Sequence, residues 1–231
     1  MSQSMPEIKR KYVVPGELIA EGQYQAESNV IKDGEKFYST RVGMAEMGRD
    51  GVRVIPLSGA YFPRLDDMVV GNIVDHSAFA WEVDINSPFF AVLPAASVFG
   101  RDFSPANQSL SETFAKGDYV ICNVASFDRT RDPLVSVSGP GLGKVTDGKI
   151  VKISPTKVPR LIGKKGLMIR AIEDATNCRL TIGQNGIVVV NGPDDGLIKV
   201  MNSINLIEEE AYMADLTQKV QVLLEDGKAE K

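Results

Sequence analysis

The chain has 231 residues, of which 43% are hydrophobic and 24% charged, and a chain of this length has room for two or three small domains. The first residues, MSQSMPEIKRKY, are too polar for a secretory signal, and no apolar run approaches the ~18 residues of a membrane span. We therefore expect a cytoplasmic protein that does not contact a membrane. Cys122 and Cys178 lie far apart without metal-ligand partners, so we interpret both as buried thiols and expect no metal and no cofactor.

The charge of the chain is unevenly distributed, although its sum is only −4. From Lys144 to Arg170 there are eight basic residues against one acid, whereas from Asn191 to Lys231 there are four basic residues against nine acids. Such segregation predicts one positively charged surface on an otherwise acidic protein, which keeps nucleic acid among the candidate partners.

The first quarter of the chain, residues 1–60, is predicted to be a small β domain. Short apolar runs alternate with turn signals such as Pro15-Gly16 and Asp33-Gly34, and Asp-Gly between two strand-like runs is typical of a β-hairpin. Nothing in this region has the pattern of a catalytic site.

Residues 61–140 are also rich in predicted strands. Apolar and polar residues alternate in two strand-like runs within VVGNIVDHSAFAWEVDI. A third run follows the turn Lys116-Gly117-Asp118 and places Val120, Cys122 and Val124 on one side. Five strands of this spacing predict a small closed barrel.

The periodicity changes after the glycine-rich stretch GPGLGK. Residues 144–213 are predicted to form a strand, two helices, two strands and a long helix, and residues 214–231 a charged helical tail. The fold class predicted for the whole chain is therefore multidomain, mainly β and then α+β.

Between the two short helices lies LIGKKGLMIRAI, in which Gly163 and Gly166 bracket Lys164 and Lys165. Two glycines three residues apart allow a backbone to approach a ligand without a Cβ atom in the way. The turn also opens a helix, whose first N–H groups are unpaired and favour an anion. We expect this turn to bind a phosphate oxygen, with the two lysines adding positive charge.

With the elements on both sides, this turn resembles the KH domain, an RNA-binding module whose GXXG loop clamps the backbone of about four nucleotides. The element order, β-α-α-β-β-α, is similar to the eukaryotic (type I) arrangement. The resemblance implies that RNA contacts the four residues of the turn and a groove beside it. The predicted KH contacts are Gly163, Lys164, Lys165, Gly166, Ile162, Ile169 and Arg170.

The middle region resembles the S1 domain, an RNA-binding OB-fold, through VVGNIVDHSAFAWEVDI and KGDYVICNVASFD. OB-folds bind single strands by stacking bases on aromatic side chains in a basic groove. The resemblance implies Phe79 and Trp81 as stacking residues, with Arg64, Arg129 and Arg131 as nearby charge.

The order of the three regions resembles the archaeal exosome cap subunits of the S1-KH type, the ribosomal RNA-processing protein 4 family. This resemblance implies a non-catalytic subunit that recruits single-stranded RNA to the central pore of a hexameric ring of RNase PH-like proteins, which degrade it from 3′ to 5′. It also implies a three-copy cap, made of this chain alone or mixed with a zinc-ribbon cap subunit. Two cysteines are too few for this chain to be the zinc-ribbon type.

Two other interpretations are open. A free S1-KH transcription or ribosome factor would use the same modules without a ring. A metal-dependent nuclease would need clustered carboxylates, for which Asp66, Asp67, Asp75 and Asp84 are the candidates, but their spacing matches no metal signature. The single histidine, His76, has no evident nucleophile beside it.

Overall fold

The structure is a computed structural model, and it describes residues 9–48, 51–100, 103–105, 109–213 and 215–226. The first eight residues of the predicted N-terminal domain, and residues 214 and 227–231 of the predicted tail, lie outside the described residues. The chain divides into two compact units, Met1–Gly59 and Ala60–Lys231.

The first unit contains two small β-sheets, with strand orders β1-β6-β7-β3 and β2-β5-β4. Val13, Ala45 and Val54 project from three neighbouring strands into its core. The strands are β1 (Lys9–Val13), β2 (Leu18–Glu21), β3 (Gln25–Ala26), β4 (Val30–Asp33), β5 (Lys36–Ser39), β6 (Gly43–Met47) and β7 (Gly51–Pro56).

The opposite face of the first sheet carries a buried carboxylate, Glu46. The strand register places Glu46 directly between Arg10 and Arg53, whose guanidinium groups lie 3.0 and 2.7 Å from its oxygens. Burial alone would raise the pKa of Glu46, but hydrogen bonds and charge from Arg53 and Arg10 outweigh it and lower that pKa. One carboxylate therefore links three adjacent strands.

The second unit begins with a closed five-stranded barrel, which confirms the prediction for the middle region. Its strands follow the order β12-β10-β9-β8-β11, and β11 pairs with β12 to close the ring. The strands are β8 (Met68–His76), β9 (Ala80–Asp84), β10 (Phe90–Pro94), β11 (Tyr119–Ser126) and β12 (Leu134–Ser136), with helices α1 (Ala95–Phe99) and α2 (Leu110–Thr113) between β10 and β11.

Trp81 lies in the core of this barrel and not on its surface. Its side chain is 0% exposed, its indole N–H donates to the Phe114 carbonyl at 3.1 Å, and its ring contacts those of Phe99 and Phe114. The alternation along β9 directs Trp81 and Val83 inward and Glu82 outward. This burial corrects the assignment of Trp81 to the RNA-stacking surface.

The rest of the unit confirms the predicted β-α-α-β-β-α pattern. The antiparallel sheet has the order β14-β16-β15, and the helices cover one of its faces. The elements are β14 (Lys149–Lys152), α3 (Val158–Ile162), α4 (Leu167–Thr176), β15 (Arg179–Ile182), β16 (Ile187–Asn191) and α5 (Asp194–Glu210), preceded by the short β13 (Gly143–Lys144), which pairs with β11.

The described part of the predicted tail forms a further helix, α6 (Leu216–Asp226). Leu216, Val220 and Leu224 are buried in the same apolar core as the helices and sheet of the KH region. The segment therefore packs as a fourth helix of this region, because its apolar residues recur at helical spacing on one face.

The sheet of the KH region is buried on both faces. Val188 and Val190 on β16 point toward the helices, whereas Ile187 and Val189 pack with Val70 of the barrel. This explains why four successive residues of β16 are buried, a pattern expected for a strand covered on both sides.

A partly buried carboxylate secures the segment that leads into α3. Glu208 on α5 accepts a hydrogen bond from the Ser154 backbone N–H at 2.9 Å and pairs with the Lys157 ammonium at 2.8 Å. Burial would raise the pKa of Glu208, but hydrogen bonds from Lys157 and Ser154 outweigh that effect and lower it.

Both cysteines are buried free thiols, and burial raises the pKa of Cys122 to about 12, so this thiol is not a nucleophile near neutral pH.

Among the described residues, no helix is long and apolar enough to span a membrane.

The burial of the single tryptophan predicts its spectroscopic behaviour. We expect Trp81 emission from the native protein to be blue-shifted and poorly quenched by iodide, and to stay unchanged when single-stranded RNA is added. A titration of fluorescence against RNA tests this, with the urea-unfolded chain as the control for an accessible indole. Quenching by RNA at native emission wavelength would show that the ring is accessible after all.

The lowered pKa of Glu208 predicts a pH-dependent contribution to stability. Because the folded-state pKa lies below the ordinary value of 4.5, the stabilisation is complete above that pH and is lost as the pH falls through the folded-state pKa. Glu208→Gln should cost about 1 kcal/mol at neutral pH, or roughly 2–4 °C in Tm.

Thermal unfolding of both proteins from neutral pH down to about pH 3 measures this difference, which should shrink at the acid end. Glu209→Gln, at the exposed neighbouring position, is the matched control and should leave Tm nearly unchanged. An equal Tm deficit at every pH would contradict an ionic origin.

Candidate nucleic-acid interface

The turn Gly163–Gly166 joins α3 to α4 in a backbone conformation that few residues adopt. Gly163, Lys165 and Gly166 all have positive φ angles, of 73°, 55° and 76°. The Gly163 N–H donates to the Pro159 carbonyl at 3.0 Å, which ends α3, and the Gly166 N–H donates to the Gly163 carbonyl at 3.3 Å. The chain therefore passes from α3 to α4 within four residues.

The two glycines are required for different reasons. A Cβ atom at Gly163 would lie 2.6 Å from the Met168 Cβ and 2.8 Å from the Met168 backbone nitrogen, so α4 approaches the turn too closely for any side chain there. A Cβ atom at Gly166 would have no neighbouring side-chain atom closer than 3.8 Å. Glycine is favoured there because the backbone is left-handed, a conformation that other residues rarely adopt.

The turn presents positive charge to solvent. Lys164 and Lys165 are exposed, and Gly166 is the N-cap of α4 without any side chain bonded to the helix start. The first N–H groups of a helix carry the positive end of its dipole. Two ammonium groups and an uncapped helix start together form a site suited to a phosphate oxygen.

Apolar side chains lie beside the charged turn. Ile162 and Ile169 are half-buried and pack against the core, Arg170 is exposed, and Leu167, the first residue of α4, is 64% exposed. The structure thus brings the predicted KH residues together around one turn and adds Leu167. Sequence reasoning missed Leu167, because an apolar residue at a helix start usually indicates core packing.

The S1 candidates other than Trp81 are exposed but do not form one cluster. Arg64 precedes β8, while Arg129 and Arg131 follow β11, and the Asp66 N–H bonds to the Val124 carbonyl at this end of the barrel. Phe79 is 65% exposed and lies beyond the other end of β8, whose nine residues span roughly 25 Å. The structure therefore groups the three arginines and separates Phe79 from them.

Aromatic rings that the sequence analysis did not select lie near the arginines. The Phe89 ring contacts Phe62 at 6.2 Å and Phe127 at 5.1 Å between ring centroids. Phe62 and Phe127 are two residues from Arg64 and Arg129, respectively. The outer surface of β9 and β10 is negatively charged, unlike the end of the barrel that carries the arginines. A cleft of about 290 Å³ on this surface is lined by Asp75, Glu82 and Asp132, whose carboxylates repel phosphate.

Three of the four carboxylates considered for a nuclease accept hydrogen bonds from nearby groups. Asp67 accepts a hydrogen bond from the Tyr61 hydroxyl at 2.7 Å, Asp84 accepts one from the Asn86 N–H at 2.8 Å, and Asp75 accepts one from the His76 N–H. Within the described ranges, no group of three or more histidine, cysteine, aspartate or glutamate side chains is arranged to hold a metal ion.

Two family models match this chain. Residues 10–58 match the N-terminal domain of the exosome RNA-binding protein RRP4, and residues 148–207 match the KH domain. The second match includes the Gly163–Gly166 turn.

Similar proteins cover nearly the whole chain. The exosome complex component Rrp4 of Nitrosopumilus maritimus (strain SCM1) is 48% identical over 94% of this chain and 96% of its own length. Rrp4 of Thermofilum pendens is 38% identical over 94% of this chain and 93% of its own. A solved crystal structure described as an exosome complex RNA-binding protein is 39% identical, covers 74% of this chain and 98% of that one, and superposes with a TM-score of 0.70. The chain therefore belongs to the Rrp4 family of exosome complex components.

Proposed function

We propose that this protein is a non-catalytic RNA-binding cap subunit of an archaeal exosome. The observation that carries the proposal is the glycine-lysine turn at the start of α4, where the exposed Lys164 and Lys165 lie beside a helix start that no side chain caps. Relatives that align over nearly the whole chain are named as exosome components, which supports placing this RNA contact within that complex.

In this proposal the protein binds RNA and other subunits of the complex degrade it. The turn binds the sugar-phosphate backbone independently of base sequence. The arginines beside β8 and β11 form a second site that contacts phosphates. A hexameric ring of RNase PH-like proteins performs the 3′-to-5′ phosphorolysis, while this chain delivers single-stranded RNA to its central pore. Three copies of the cap, alone or mixed with the zinc-ribbon type, raise the local RNA concentration at that pore.

A decay assay tests the proposal directly. Single-stranded RNA is incubated with an archaeal RNase PH-type ring, with and without this protein, and light scattering after size-exclusion chromatography reports the mass of the complex. We expect three chains per ring, faster or more processive decay, and no decay by this chain alone with magnesium or phosphate. Failure to join the ring would favour a free S1-KH factor, and decay by the chain alone would favour a nuclease.

The lysines of the turn provide the second test. Lys164→Asp combined with Lys165→Asp should leave the fold intact, because both side chains are exposed. It should weaken binding of single-stranded RNA at least about tenfold, and reduce the slope of log K against log salt by about 0.7 for each phosphate that the protein no longer neutralises. Fluorescence anisotropy at several salt concentrations measures both quantities.

The matched control for this variant is Lys164→Arg combined with Lys165→Arg, which keeps both positive charges and should retain affinity and salt slope. Unchanged RNA affinity of the aspartate variant in the assembled complex would move the binding role to the S1 barrel or to the ring.

A further inference from the structure

The helix α6 carries more apolar residues than its contact with the core requires. Leu216, Val220 and Leu224 recur at helical spacing and are buried in the core. Val222 and Leu223 lie between Val220 and Leu224 in the sequence, but Val222 is 55% exposed and Leu223 is only half-buried. Packing against the core therefore does not explain these two apolar side chains.

Both side chains contribute to a groove between α5 and α6. The groove has a volume of about 410 Å³ and is open to solvent, and its apolar lining is Leu206 from α5 with Val222 and Leu223 from α6. The match to the KH domain ends at residue 207, within α5. The helix that forms one wall of the groove therefore lies beyond the KH match.

Charged side chains line one end of the groove. The Lys219 ammonium lies 2.6 Å from a carboxylate oxygen of Glu210 and 3.5 Å from one of Asp215. Because one ammonium meets two carboxylates, this end keeps a negative charge. Glu225, on the last turn of α6, is exposed, and residues 191–231 contain nine acids against four basic residues.

This combination of apolar lining and negative charge distinguishes between the possible occupants. An RNA backbone is disfavoured, because its phosphates would meet carboxylates. A second copy of the chain, related by a two-fold axis, would place the same acidic helices against each other. An apolar groove with acidic borders instead complements an amphipathic helix that has basic residues beside its apolar face.

We propose that the groove between α5 and α6 is a docking site for a basic amphipathic helix of another protein. Apolar side chains of that helix lie against Leu206, Val222 and Leu223, and its lysine or arginine side chains pair with Asp215 and Glu225. The apolar contact is small, so the interaction is weak and reversible. The site shares no residue with the RNA-binding turn, so it recruits a protein partner independently of RNA.

A synthetic peptide tests whether the groove accepts such a helix. The probe is a fluorescein-labelled peptide of about 18 residues, long enough to form a helix when bound, with leucine on one helical face and lysine on the other. Fluorescence anisotropy measures its dissociation constant. Val222→Lys places a positive charge in the wall of the groove and should weaken binding at least about tenfold.

The matched control is Ile198→Lys, the same kind of change at an exposed residue of α5 that does not line the groove. It should alter the affinity for the peptide less than about twofold. Both positions are exposed and lysine is a good helix former, so both variants should fold, which circular dichroism verifies. Equal losses in the two variants would show an effect of net charge alone and would overturn the docking site.

The other occupants are separate outcomes of the test. Binding of a peptide with glutamate in place of lysine at equal strength would contradict a basic partner. A larger change of RNA affinity in Val222→Lys than in Ile198→Lys would place RNA in the groove. Self-association that Val222→Lys abolishes, measured by sedimentation velocity, would place a second copy of the chain there. Each of these results would overturn the proposal.

Photocross-linking identifies the natural occupant. The photoreactive residue p-benzoylphenylalanine replaces Gln218, which lines the groove, or Gln221, which is exposed on α6 and does not line it. Each protein is irradiated in an archaeal cell extract, and mass spectrometry sequences the cross-linked segments. We expect position 218 alone to capture a segment of another protein with basic residues beside an apolar helical face. An acidic segment, a segment of this chain, or no cross-link specific to position 218 would overturn the proposal.

Discussion

The arrangement of the second unit depends on the buried amide of Asn185. This side chain lies against the barrel and bonds three of its backbone groups, in a place where water does not reach them. A buried backbone group without a partner costs about 1–3 kcal/mol, so the turn between β15 and β16 and the barrel stabilise each other. Beside this contact, Ile187 and Val189 pack with Val70, which covers the second face of β16.

The paired and the exposed charges of the protein have different roles. Glu46 is held by Arg10 and Arg53 across three strands, and Glu208 holds Lys157 ahead of α3. Both carboxylates are paired with basic side chains from other segments of the fold. Lys164 and Lys165 instead lie exposed on a turn whose backbone is shaped by glycine. An acidic chain can therefore carry a basic surface suited to RNA.

Much of the architecture follows from local patterns in the chain. Alternating apolar residues indicated the barrel strands, and the change to helical spacing after the glycine-rich stretch indicated the KH elements and their order, which the structure confirms. The turn at Gly163–Gly166 was recognisable because glycine requirements are local: the positive φ angles and the close approach of Met168 involve neighbours within a few residues.

The sequence by itself determined the elements, their order and the basic turn, because these depend on residue spacing and on backbone geometry within short segments. Only the tertiary structure decided which face of β9 is inside, and so that Trp81 is core, because alternation defines two faces and does not show which of them is buried. It also placed Phe79 outside the strand, which begins at Ala80, and left that ring exposed. It also decided that Asn185, a polar turn residue that by composition belongs at a surface, is buried. That outcome depends on strands about one hundred residues away in the chain, and no local pattern carries such information.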